Sequence, residues 1–178
     1  KEKMRLLSTE EHKKIALNIL IEVARFCEEK EIRYFLAYGT LIGAVRHKGF
    51  IPWDDDLDVM MTRENYKKFL SLFSNNEKYT LQKEQVDYPL YFSKLRKNKT
   101  AFIENIKYRK PYRNIHQGIF IDIFPADKVS KNPISRFIQT IFSIIFMQRE
   151  NDIRKKMDSG TKLTGTLTGW ETRTFPIR

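Results

Sequence analysis

The sequence predicts an α+β or α/β domain in which helices surround a mixed β-sheet. Three observations carry this. Apolar residues recur at helical spacing over 10–30 and over 62–73. Short apolar segments at 32–37, 79–82, 91–96, 101–104 and 118–124 have the length and composition of strands. Gly, Pro, Asn and Lys punctuate the gaps between them. At 178 residues the chain fits one domain with a substantial core.

In chain order, Thr9 followed by Glu10 and Glu11 reads as an N-cap with an acidic first turn. Ile15, Leu17, Ile19, Leu20, Val23, Ala24, Phe26 and Cys27 recur at roughly helical spacing along the helix that follows. Ile32 to Ala37 reads as a buried strand, broken at Gly39-Thr40, after which Leu41–Arg46 suits a short helix. Gly49 and Pro52 mark a loop, and Leu57, Val59 and Met60 open the next strand. The helix over Thr62–Phe73 places Tyr66, Phe69, Leu70 and Phe73 on one face. Pro133 opens a last helix with a dense apolar run from Phe137 to Met147, expected to pack as a buried core helix. The domain is read as 1–159, followed by a Thr/Gly-rich tail over 160–178 with no clear element. No repeat is present.

Apolar residues make up 41% and charged residues 31%, a globular composition, and the net charge is +11. That charge implies anionic partners: nucleotide, nucleic acid, acidic polymer or anionic membrane. The single cysteine, Cys27, excludes a disulfide framework and a thiolate metal site, and a reduced, cytoplasmic setting is expected. No apolar run approaches the roughly 20 residues of a membrane-spanning helix.

The chemistry concentrates at 54–58, Asp-Asp-Asp-Leu-Asp. Four like charges in five positions repel, and oxygen ligands gathered this way select a hard cation, Mg²⁺ or Mn²⁺. Strand alternation would put Asp54, Asp56 and Asp58 on one side, with Asp56 and Asp58 pointing into the same space. Upstream, Gly39 and Thr40 lie at a strand-to-helix turn, where backbone amides favour a phosphate. Downstream, Asp122 stands among Phe120, Ile121, Ile123 and Phe124, and a carboxylate there needs a metal, a cation or a proton.

A Gly-Thr turn, an Asp-x-Asp pair and a later strand Asp form the pattern of the nucleotidyltransferase superfamily. The stretch from Tyr34 to Asp58 resembles, more closely, the LicD family of bacterial phosphocholine transferases related to fukutin-related protein. Gly118–Pro125 with Asp127 is similar to that family's second signature. Tyr91–Arg96 with Thr100–Glu104 resembles its middle segment. The resemblance spans about 8–127 and implies an α+β, nucleotidyltransferase-like fold. It implies transfer of phosphocholine, or a related phospho-substituent, from a CDP-choline-like donor to a sugar of a surface glycan. On this mapping Asp56 and Asp58 are the metal-binding pair, Gly39 and Thr40 the phosphate turn, and Asp122 the third acid, as ligand or as base. Family members continue well past the second signature, so a truncated or frameshifted end is expected.

Arg46, His47 and Lys48 precede the acidic loop and could meet phosphate oxygens, as could Lys94 and Arg96, which share a strand face. Trp53 is expected to pack its loop, with stacking on a base as the alternative, and His116 to be structural. Lys131, Arg136, Arg149, Arg154, Lys155 and Lys156 flank the apolar run at 137–147, which leaves open a helix lying on anionic lipid, suited to a lipid-linked acceptor. Two other readings stand beside transfer of a phospho-alcohol: a nucleotidyltransferase moving a nucleotide, and a non-catalytic module binding anions or nucleic acid. The second is disfavoured because aromatic and basic residues are not interleaved as a stacking groove requires.

Overall fold

A computed structural model describes residues 6–83, 91–102 and 116–158. Residues 6–83, 91–102 and 116–126 belong to one compact unit, and 127–158 to another. The tail at 160–178 and the segment 103–104 of one expected strand lie outside the described residues; Ala101 and Phe102 are not in a strand.

The first unit is built on a five-stranded mixed sheet: β1 (Phe35–Leu36), β2 (Asp58–Thr62), β3 (Tyr79–Gln82), β4 (Ser93–Lys97) and β5 (Phe120–Ala126). Their spatial order is β1-β2-β5-β4-β3. β2 and β5 run parallel at the centre, and the other pairs are antiparallel. The α+β class is as expected. Registers of Val59 with Ile123 and Leu95 with Ile121 put the fully buried residues Val59, Met61, Leu95, Ile121 and Ile123 on one face.

Two helices cover that face: α1 (Thr9–Glu29), through Ala16, Ile19, Val23 and Cys27, and α3 (Arg63–Leu72), through Tyr66 and Phe69. Each large apolar side chain withdrawn from water contributes about 1.5–3 kcal/mol, so this layer is the main source of stability. The Tyr66 hydroxyl meets Ser93 Oγ at 2.6 Å within it, satisfying both buried polar groups.

Several boundaries moved for local reasons. The N-cap of α1 is Ser8 rather than Thr9. A Ser8 cap places Glu11 at the third helical position, where the two residues bond reciprocally, whereas a Thr9 cap would put His12 there. Thr62 caps α3, accepting from the Asn65 side chain at 2.9 Å. β1 is two residues long because Ile32 still bonds to Cys27 at the end of α1. The short helix starts earlier than expected, as α2 (Tyr38–Ile42), and continues as a turn of π-helix over Gly43–His47. Gly43 is needed there because any side chain would collide with the Gly49 carbonyl.

In the second unit, α4 (Pro133–Asp158) starts at Asn132, whose Oδ1 accepts from Ile134 N–H at 2.9 Å and Ser135 N–H at 3.2 Å. The expectation of a buried helix is corrected: Ile134, Phe137, Phe142, Ile145 and Met147 are each at least half exposed. Among the described residues, no helix is long and apolar enough to cross a membrane.

Candidate active site

The parallel register of β2 and β5 pairs Asp58 directly with Asp122. Neighbouring strands lie about 4.8 Å apart and paired residues share a face, so both carboxylates stand on the side opposite the helix layer. Asp58 is 8% exposed and Asp122 partly buried. The strand begins only at Asp58, so alternation does not place Asp54 and Asp56 as expected. A loop brings them in.

The backbone of Asp58 is pinned from both sides. Its N–H donates to Thr40 Oγ1 at 2.7 Å, and its carbonyl accepts from Ala37 N–H at 3.0 Å. Asp122 N–H donates to the Leu57 carbonyl at 2.9 Å. Thr40 is buried in α2, so its hydroxyl fixes the start of the carboxylate-bearing strand. Gly39 lies against the Asp54 carboxylate so closely that a methyl group there would overlap it. The Gly39-Thr40 pair thus supports the acidic loop directly.

Lys94 reaches this centre. Its ammonium lies 2.8 Å from Asp122 Oδ1 and 3.4 Å from the Phe120 ring centre, with its side chain 3% exposed. Arg96, on the same face of β4, is placed differently. It is buried, donating through Nε to Gln82 Oε1 and through Nη1 to the Gly118 carbonyl at 2.9 Å. It ties β4 to β3 and to the turn before β5. Arg46, His47 and Lys48 are exposed at the end of the π-turn. Trp53 does not pack its loop: it stands 84% exposed, with its edge toward His47. His116 is structural as expected, accepting from Gly118 N–H at 3.0 Å.

Burial, then the charges of Asp56, Asp122 and Asp54, push the Asp58 carboxyl up to about 7, with Lys94 pulling the other way. Burial and a hydrogen bond to Asp54 push Asp56 up to about 6, helped by the charges of Asp54, Asp122 and Asp55. Asp56 is exposed at its outer edge, so water screens it more than Asp58. Among the described residues, no three His, Cys, Asp or Glu side chains form a ready-made metal cage. The donor set still fits a hard cation of the magnesium type, which is commonly held by one or two carboxylates together with substrate phosphates. Asp56 and Asp58 bring two such carboxylates to the site, both with raised proton affinity.

Asp54, read on the same side as Asp56 and Asp58, joins the carboxyl cluster. Two contributors escaped the sequence reading. Lys13 is buried and donates to the Pro52 carbonyl at 3.1 Å. His12 Nε2 lies 3.1 Å from the Asp55 carbonyl. The signal for Lys13 was its place on the buried stripe of α1, one turn before Ala16. Two residues of the helix layer thus hold the backbone of the acidic loop.

A central parallel pair bearing adjacent aspartates, fed by a Gly-Thr helix start and an acidic loop, defines a nucleotidyltransferase-type domain. Residues 31–153 match the family described as LicD/FKTN/FKRP, nucleotidyltransferase domain, and the chain belongs to that family. It is 37% identical over 134 residues to the lipopolysaccharide cholinephosphotransferase LicD of Haemophilus influenzae, covering 73% of this chain and 48% of that protein. This chain therefore spans about half of that relative's length. Uncharacterised proteins of Rickettsia prowazekii and Rickettsia typhi are each 51% identical over 37 residues, covering 21% of this chain and 14% and 12% of theirs.

Proposed function

We propose that this domain transfers phosphocholine, or a related phospho-substituent, from a CDP-activated donor to a sugar hydroxyl of a cell-surface glycan such as lipopolysaccharide, teichoic acid or capsule. The observation that carries it is the pairing of Asp58 with Asp122 beside Asp56, in a chain similar to a cholinephosphotransferase over 73% of its length. The acceptor oxygen forms a new bond to the phosphorus of the phosphocholine group. The bond to the CMP oxygen breaks, CMP departs, and the hydroxyl proton passes to solvent or to a carboxylate of the site. Such transfer depends on positioning and charge neutralisation.

Asp56 and Asp58 would hold Mg²⁺ or Mn²⁺, which when bound supplies charge neutralisation on the donor diphosphate. The mutual repulsion that raises their proton affinity would be relieved when donor and cation arrive together. Thr40 holds Asp58 in place, and the Gly39-Thr40 amides would brace the donor phosphate. Asp122 has Oδ1 engaged by Lys94, so its part is to orient the acceptor, with Lys94 as a fixed positive charge beside the transferred group. Arg46, exposed at the end of the π-turn, would meet phosphate oxygens, and Arg96 acts through the scaffold.

CMP release from CDP-choline tests this. Asp56→Asn and Asp58→Asn should each lower it by about a hundredfold or more while leaving the fold intact. Turnover at the wild-type rate in either variant would overturn the assignment. The description of the family domain favours one competitor, transfer of a nucleotide, which would release pyrophosphate from a nucleoside triphosphate instead of CMP.

The exposed apolar side chains of α4, in a segment the sequence flanks with Lys and Arg, support peripheral contact with the inner face of the membrane and a lipid-linked acceptor. Co-sedimentation with anionic vesicles should be salt-sensitive, and its absence would refute that contact.

A further inference from the structure

Four aromatic rings gather one step along the sheet from the carboxylates. Phe124 is two residues beyond Asp122 on the same face of β5. Its ring centre lies 4.5 Å from Phe92, 5.3 Å from Tyr38 and 6.3 Å from Tyr91. Phe92 stands two residues before Lys94, whose ammonium is bonded to Asp122. Tyr38 follows β1, yet touches Phe124 on β5, so its ring reaches across β2 where Asp58 begins. Tyr38 and Tyr91 are 57% and 41% exposed, leaving aromatic surface open to solvent beside negative charge.

Backbone geometry adds an independent observation. Tyr38 has φ of 46°, a left-handed conformation that a bulky residue adopts at a cost and a glycine adopts freely. The other described non-glycine residues with positive φ are Glu31, Lys48 and Lys99, which end helices or sit in a turn. Tyr38 instead stands at a helix start, directly before Gly39-Thr40. Strain of this kind persists where the side chain it places is used.

We propose that Tyr38, Tyr91, Phe92 and Phe124 form the subsite for a quaternary ammonium group, the trimethylammonium end of the donor. This rests on the phosphocholine-transfer reading above. A trimethylammonium ion has no N–H to donate and sheds water easily. Aromatic faces backed by carboxylates therefore attract it by charge and by contact. The phosphate of a choline ester is one ethylene bridge away from its nitrogen. A head group seated on the rings thus puts phosphorus next to Asp58, Asp122 and Lys94.

The test is the ratio of affinities for CDP-choline and CDP-ethanolamine, measured by titration calorimetry and by CMP release. Wild-type protein should prefer the trimethylated donor. Tyr38→Gly and Tyr91→Ala should each lower that preference by roughly tenfold, the scale of one cation–π contact. Tyr38→Gly should not lower the unfolding midpoint, because it relieves the strain. An unchanged ratio in both variants overturns the subsite while leaving phosphocholine transfer standing. So does equal competition by the uncharged carbon isostere of phosphocholine, which would mark an apolar site rather than a cation site. Wild-type protein that binds neither donor and releases no CMP overturns the transfer reading itself, and this subsite with it.

Discussion

Replacing Asp58 by Asn should make the metal-free protein more stable at alkaline pH. The folded carboxyl is raised from an ordinary 3.8 to about 7. A group whose folded pKa is raised contributes stability that is fully present below its unfolded pKa and is lost as pH rises through the folded one. For Asp58 that window runs from about pH 4 to about pH 7. A shift of about three units corresponds to roughly 4 kcal/mol, and discounting by half for the solvent at the rim of the site leaves about 2 kcal/mol. Asn is isosteric and carries no charge, so it escapes this loss. Urea denaturation in chelator, from pH 5 to pH 8.5, should show wild-type stability falling by about 2 kcal/mol more than that of Asp58→Asn. At pH 8 that is a midpoint about 4–8 °C higher for the variant in thermal unfolding. Adding Mg²⁺ or Mn²⁺ should restore the wild type and leave the variant unmoved. Parallel pH profiles for the two proteins, or an Asp58→Asn protein less stable at pH 8, would refute the reasoning.

Lys94→Met should destabilise the fold by about 3 kcal/mol, because it strands the buried Asp122 charge. Lys94→Met with Asp122→Asn should recover most of that loss, and a double-mutant cycle by urea denaturation reads the coupling. Thr40→Val keeps the shape of the side chain but removes the acceptor for Asp58 N–H. It should cost about 1–2 kcal/mol of stability and weaken metal-dependent stabilisation, both readable in thermal melts with and without Mn²⁺.

Where local pattern decides structure, the sequence reading and the fold agree. The Tyr79–Gln82 strand has the expected bounds because it is short, β-favouring and framed by polar residues. The Thr62 cap and the apolar face of α3 follow from spacing alone. Asp58 and Asp122 could be singled out because charge inside an apolar strand is conspicuous. Their direct pairing could not, since register is a tertiary property. Gly39-Thr40 reads as a phosphate turn through its backbone amides, and nothing local shows that the Thr40 hydroxyl accepts from an amide 18 residues away. Lys94 and Arg96 look alike in the sequence, two cations on one strand face. The first meets Asp122 and the second meets Gln82 and a carbonyl, a division set by which neighbour each register position brings. Lys13 lies on the buried stripe of α1, which hints at its burial, but its partner in the loop at 50–55 is brought to it only by the tertiary fold.

The anchoring of that loop by α1 bears on how far the domain can be trimmed. The family match begins at residue 31, after the helix has ended. A fragment cut there would lose the Lys13 ammonium that grips the Pro52 carbonyl and the His12 contact to the Asp55 carbonyl. It would also bare the sheet face that Ala16, Ile19, Val23 and Cys27 cover. A unit that keeps this cover and the grip on the acidic loop therefore starts no later than Ser8, and a boundary drawn from the family match alone would yield a sticky, slack-looped remnant.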